Sequence, residues 1–375
     1  MPASRGVLRV EVARTRAELG AIAAAWSALD GRATGATGFQ SYQWCSTWLD
    51  ACDACGRPEE FRILTVRVGD DLVMLLPLAI ERSWGTRILH WLGEPLAQYG
   101  DALCEPDEDF ARWLDAAQQE IARWRDIDVV RFVRLRDDGA LRHANIVRNS
   151  RYQETQVAPL VRLSTATGGG WLSNRKKSLR RRMKRLHAMG EVSFALLDDP
   201  SDRLEAAETA LRLKHVWLTS KGMISFGLSH KATHAFVLAA AERGLLKVAV
   251  LRVGDRVAAV ELGFTCGTTY RSLIGSYDPE FAEGSPGHML IGHMLDHCAS
   301  LGLDTYDFLA PNDGYKEEWA TGGTTVTSGF HAVTAKGAAA AFAMGGLRPL
   351  ARQTFRAAPA WCRSAITRLA PRTAG

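Results

Sequence analysis

The chain has 375 residues, 47% of them apolar and eleven of them Trp, which excludes a disordered or fibrous protein and leaves room for two domain-sized cores. No apolar run approaches the roughly 18 uninterrupted residues of a membrane span, and the first residues alternate charge with apolar groups instead of forming a signal core, so a cytoplasmic protein is expected. The net charge of +5 is uneven: residues 174–186 hold eight basic and no acidic groups, and residues 336–375 hold seven and none, so basicity is local and a surface coated in nucleic acid is not expected.

The first helix-like stretch is Trp44–Ala54, and "CDAC" closes it at Cys52 and Cys55. Seven scattered cysteines fit reduced thiols, and a lone pair with no second pair and no βαβ context reads as two packed thiols. "FRILTVRVGDDLVMLLPLAI" (61–80) then reads as a hairpin turning on Gly69 and Asp70. After the strand-like "RILHWLG" (87–93) comes "LAQYGDALCE", where Gln98, Tyr99 and Asp101 flank Gly100 and form either a turn or the lining of a cleft.

In the basic run, a helix would place Leu172, Leu179, Met183 and Leu186 on one side and spread the cations over the rest. Docking by that stripe is the base expectation. Eight cations without an acidic partner also suit a phosphate-bearing ligand, namely a nucleotide-linked sugar, a lipid pyrophosphate or an anionic bilayer surface, with Arg175, Lys176 and Arg180 as the contacts nearest the helix start. Nucleic acid ranks lower because no aromatics interleave the cations.

A helix over Asp202–Thr219 follows, carrying Leu204, Leu211 and Leu218 at heptad spacing. "KVAVLRVGDRVAAVELGF" (247–264) then repeats the first hairpin, with Arg252–Asp255 matching Arg67–Asp70, and a duplicated α+β unit is the reading. Beyond the strand "TTYRSLIGSY", Ser285 as N-cap, Pro286 at the first position and Gly302 as stop predict a helix over 286–301. Its start leaves the N–H groups of Gly287, His288 and Met289 without helical partners, which favours an anion such as phosphate; a capped helix and nothing more is the alternative. His288, His293 and His297 lack the Glu of a zincin and a third ligand, so no metal is expected. Neither a Walker pattern nor a G-x-S-x-G elbow occurs. The final strand ends in "YDFLAPNDGYKEEW" (306–319), and the Ala-rich tail carries Arg348, Arg352 and Arg356 on one helical face, suiting either a membrane surface or a frayed terminus.

The succession helix, hairpin, strand, "EGSPGHMLIGHML", last strand and "DFLAPNDGYKEEWA", with "FQSYQW" and "GEPLAQYGD" upstream, resembles the acetyltransferase-like family associated with bacterial cellulose and exopolysaccharide biosynthesis, a GNAT-fold group related to the Fem aminoacyltransferases. The resemblance covers about residues 39–320. It implies an α+β (α/β-like) fold of two tandem GNAT-like domains with mixed central sheets, at 1–163 and 164–335, followed by the basic tail 336–375. It also implies acyl-CoA (acetyl-CoA) as co-substrate with no permanently bound cofactor, held by Gly284, Ser285, Gly287, His288 and Met289. The acceptor would be a phosphate-bearing small molecule or glycan precursor, met at the inner face of the membrane. Ordinary acetyl-CoA enzymes have a second small residue where Ser285 and Pro286 stand here, so aminoacyl-tRNA as donor, and a non-catalytic accessory protein binding anionic glycan precursors, stay open.

The resemblance further implies that the loop after the last strand faces the cleft and that Lys316 lies where the acyl group is transferred. An ammonium there can stabilise charge developing on the attacked carbonyl oxygen, Tyr315 can donate a hydrogen bond, and Asp307 or Asp313 can accept a proton. Gln98, Tyr99 and Asp101 would wall the acceptor site. The competing expectation is a solvated helix start at Lys316–Glu318 over packed Tyr315 and Trp319.

Overall fold

Both Arg-Val-Gly-Asp sequences turn a two-residue hairpin, with Gly69 at φ 63° and Gly254 at φ 58° supplying the left-handed first position that such turns need. In the computed structural model, which describes residues 6–83, 85–166, 170–223 and 225–347, these hairpins occupy matching places in a 13-stranded sheet. The strands are β1 (Leu8–Ala13), β2 (Glu60–Val68), β3 (Asp71–Ser83), β4 (Thr86–Trp91), β5 (Leu103–Cys104), β6 (Val129–Arg136), β7 (Arg151–Arg162), β8 (Val192–Leu196), β9 (Lys247–Val253), β10 (Arg256–Cys266), β11 (Thr269–Tyr277), β12 (Thr305–Asp307) and β13 (Gly322–Ala332).

Their order is β1-β2-β3-β4-β6-β13-β7-β12-β11-β10-β9-β8, with the short β5 paired to β3. Each half is an antiparallel meander that ends in one parallel pair, β4 with β6 and β11 with β12. At the junction the halves exchange strands. β7, from the first half, pairs with β12; β13, from the second, pairs with β6; and β7 and β13 pair with each other. The sheet is therefore continuous through both halves, a GNAT-like mixed α+β fold.

Helices cover both faces. Tyr42–Ala54 starts on Ser41, whose hydroxyl accepts from the Trp44 amide, and Pro200–Ser220 starts on Asp199, which accepts from Ser201 and Asp202. These two and Lys231–Glu242 pack on one face, where Trp44 meets Phe236 at 4.6 Å between ring centroids and Phe39 meets Phe264 at 5.1 Å. Both contacts join the two halves, so the largest core belongs to neither alone. Helix Pro200–Ser220 buries Ala206, Ala207, Ala210 and Leu213, while its heptad leucines Leu204, Leu211 and Leu218 stay half-buried. Small alanines let the helix axis approach the sheet, which larger leucines could not.

The opposite face carries Phe110–Arg123 over the first half and Pro286–Ser300 over the second. The basic helix Gly170–His187 lies across the latter, docked by Leu179, Met183 and Leu186 of the expected stripe, while the side chain of Leu172 lies outside the described ones. Cys52 and Cys55 are free thiols, and His293 stacks on Phe194. Among the described residues no helix is long and apolar enough to cross a membrane, and no group of His, Cys, Asp or Glu is arranged to hold a metal ion. The tail arginines Arg348, Arg352 and Arg356 lie outside the described residues.

Candidate active site

β11 and β12 pair over only three positions, Thr269–Arg271 against Thr305–Asp307. Beyond them β11 continues to Tyr277 while the chain leaving β12 turns away, so the sheet opens into a fork. The helix Gly314–Trp319 stands at the end of one prong, and on it Lys316 is buried, with Nζ donating to the carbonyls of Leu309 (3.0 Å) and Pro311 (2.8 Å). An ammonium has three protons, so one is left to donate elsewhere. Burial lowers the Lys316 pKa to about 8, partly offset by Asp313, whose Oδ2 lies 3.8 Å away. On the other prong Lys214 donates to the Gly275 carbonyl of β11 (3.0 Å), and burial lowers its pKa too.

The loop that aims Lys316 is held at strained geometry. Leu309 adopts φ 60°; its N–H donates to Asp307 (2.8 Å) and its C=O accepts from Lys316. Both backbone groups of this left-handed residue are thus clamped. Four non-glycine residues are left-handed among those described, and three of them, Arg134, Ser285 and Leu309, belong to this neighbourhood.

Asp307, expected as a proton acceptor facing the cleft, is instead wholly buried on the face shared by the two halves. Its carboxylate accepts from the Tyr99 hydroxyl at 2.9 and 3.0 Å and from the Leu309 amide, and Arg136 lies at 3.5 Å. Desolvation raises its pKa against the pull of Arg271 and Arg136. Tyr99 is correspondingly no exposed wall; it ties Asp307 to the first half. Asp101 is also buried, where it accepts from the amides of Ala102, Ala140 and Leu141, and Gln98 donates to the Leu96 carbonyl (3.2 Å). Burial raises the Asp101 pKa to about 6, the desolvation outweighing the three amides, which lower it.

The helix Pro286–Ser300 begins beside Lys316, so two stretches singled out separately in sequence meet here. His288 Nε2 lies 3.1 Å from Glu318, and its ring centroid is 6.5 Å from that of Tyr315. Desolvation raises the Tyr315 hydroxyl pKa. The helix start differs from expectation in its cap. Ser285 is left-handed (φ 52°, ψ 58°), which turns its hydroxyl away from the first-turn amides, and its carbonyl accepts from His288 (3.0 Å) and Met289 (3.2 Å). Of the three expected free amides only that of Gly287 is without an acceptor among the described residues. The basic helix borders the same loop: a Cβ on Gly284 would collide with Leu186, and Arg185 donates to the Glu283 carbonyl (3.2 Å). Arg180 is exposed on that helix, whereas the side chains of Arg175 and Lys176 lie outside the described ones.

Two residues at the fork escaped the sequence reading. Lys214 lies on the heptad stripe of its helix, three residues after Leu211, and a charge on an apolar stripe is the signal that marks it. Glu261 is a lone acid within the apolar run of β10; buried, it accepts from the Tyr306 hydroxyl (2.6 Å), and desolvation lifts its pKa to about 7. Arg136, stacked 5.1 Å over the Tyr99 ring, joins through contacts that no local pattern announces.

Residues 173–317 match the family model described as an acetyltransferase (GNAT) domain, which is less than half of the chain. No curated protein matches the chain in sequence. Among solved structures, FemX superposes with a TM-score of 0.53 at 10% identity, covering 86% of this chain and 97% of that one. The C-terminal domain of a putative lysylphosphatidylglycerol synthetase from Agrobacterium fabrum gives 0.50 at 14% identity, over 80% and 95%. A protein of unknown function from Bacteroides thetaiotaomicron gives 0.50 at 10% identity, over 86% and 99%. At such identities the likeness is one of fold. The fork, with Lys316 and the start of helix Pro286–Ser300 at its mouth, lies within the stretch that matches the acetyltransferase (GNAT) model, in a sheet whose fold is similar to that of FemX.

Proposed function

We propose that the chain transfers an acyl group from acyl-CoA to an amine or hydroxyl of a sugar or cell-envelope precursor, with the β11–β12 fork receiving the acyl end of the donor. The observation that carries this reading is Lys316, a buried ammonium with two protons fixed on carbonyls and one to spare. Such a preorganised donor favours the oxyanion of a tetrahedral intermediate over the ground-state carbonyl. Lys214 and the Gly287 amide suit the phosphates of the donor, and Tyr315 at the mouth suits a hydrogen bond to the leaving thiol or the incoming nucleophile. Asp307 acts as a positioning residue that fixes the Lys316 loop. Transfer of labelled acetyl from acetyl-CoA to a panel of amino and nucleotide sugars tests this. Lys316→Met is expected to lower kcat by about 10²–10³ with little change in KM for the donor; an unchanged kcat removes Lys316 from the chemistry.

A second reading, transfer from aminoacyl-tRNA, is favoured by one feature. The basic helix borders the donor loop through Leu186 and Arg185, while that loop keeps one free amide where a CoA diphosphate needs several. Transfer that requires charged tRNA and falls steeply with salt would select this reading over acyl-CoA.

A further inference from the structure

A second concave site lies at the far end of β11 from the fork. It is a cavity of about 550 Å³ between the glycine-rich loop after helix Ala23–Arg32 in the first half and the turn joining β10 to β11 in the second. That volume is in the range of small-molecule sites. Gly267 at this turn and Gly275 at the fork are eight residues apart along the chain, most of it the extended β11, which spans about 3.3 Å per residue, so no one small ligand reaches both.

The loop is seated firmly on the turn. Gly38 has φ 82° and would place a Cβ 2.7 Å from the Phe264 ring, a position that only glycine fills, and Cys266 Sγ donates to the Ala36 carbonyl at 3.4 Å. Of the side chains lining the cavity, Asp30 is the one carboxyl, its pKa pushed up by burial, and burial likewise pushes up the Cys266 thiol. Asp30 is half-buried on the cavity wall; its Oδ1 is turned inward, out of reach of solvent and without a donor among the described residues, so the rest of the carboxyl is what faces the cavity. Ser27, Gln43 and Thr265 supply further hydrogen-bonding groups, and Phe264 and Leu245 an apolar wall. A half-buried carboxylate that lacks a donor is stabilised by a cation placed at its open side.

We propose that this cavity binds a small primary amine bearing hydroxyl groups, of the size of an amino sugar, with its ammonium on Asp30 and its hydroxyls on the neighbouring polar side chains. This goes beyond the transfer reaction and does not depend on it.

Isothermal titration of the full chain with glucosamine, against glucose and N-acetylglucosamine as neutral counterparts, tests the assignment. Saturable binding of glucosamine with at least tenfold weaker binding of both neutral sugars is expected, and Asp30→Asn is expected to abolish the preference. Amide chemical shifts in the unmodified protein give a reading that survives a misfolded variant: Gly31, Gly35 and Gly267 should move and Gly287 should not. Equal affinity for charged and neutral sugars, shifts confined to the fork, or no saturable binding of glucosamine at millimolar concentration each overturn the proposal.

Discussion

At the scale of single residues, the site rests on a lysine held out of water. Lys316 carries a folded-state pKa of about 8 against an ordinary value of 10.5. The sign follows: between those values the unfolded chain binds the proton and the folded chain does not, so the stability of the fold rises with pH through this window. The gain is on the order of 2–3 kcal/mol, which chemical denaturation at pH 7.5 and 10 reads out. In Lys316→Met the corresponding rise should vanish. Catalysis should move the opposite way, because the oxyanion needs the charged form, so kcat of the native enzyme should fall as pH passes about 8. His90 acts in the same sense at lower pH: burial depresses its pKa to about 3, so the folded protein keeps it neutral while the unfolded chain protonates it below about 6.5, and stability is lost as pH drops below that point.

At the scale of elements, what was legible in the sequence is what local chemistry dictates. The two hairpins announce themselves through a Gly that must be left-handed, and the helix at Pro286 through its proline and Gly302. The basic helix docks by the stripe its spacing shows. The cap at Ser285 was not legible, since its backbone is set by the preceding turn and by Leu186 pressing on Gly284, which is distant in sequence. Close approaches of this kind make sharp predictions. A Cβ on Gly284 overlaps Leu186, so Gly284→Ala must push the basic helix from the donor loop; donor KM should rise several-fold while the melting temperature falls only modestly. Gly100 is pressed on the Trp91 indole inside the first half, and Gly100→Ala should cost about 1–3 kcal/mol of stability, seen as a lower denaturation midpoint at unchanged slope.

At the scale of the whole molecule, the strand exchange decides what can fold alone. Repeat spacing pointed to two domains, yet the pairing of β7 with β12 and of β13 with β6 is invisible to any local pattern, because alternating strands fit whichever edge the rest of the chain presents. The ladder partners of β7 on both sides, β12 and β13, come from the second half, and so does the β13 neighbour of β6. The aromatic contacts Trp44–Phe236 and Phe39–Phe264 cross the same boundary, as does the Tyr99–Asp307 bond beneath the active loop. A chain of residues 1–163 would therefore keep β7 with neither neighbour, leave β6 as a bare edge and expose half of an aromatic core. Calorimetry on the full chain is expected to give a single transition, and the 1–163 chain no cooperative unfolding at all; two resolved transitions, or a folded first half, would mean that the exchanged strands add little to what each half holds by itself. Coupling of this kind ties the two sites to one folding unit, since the loop that aims Lys316 hangs on an aspartate whose partner tyrosine belongs to the other half of the chain.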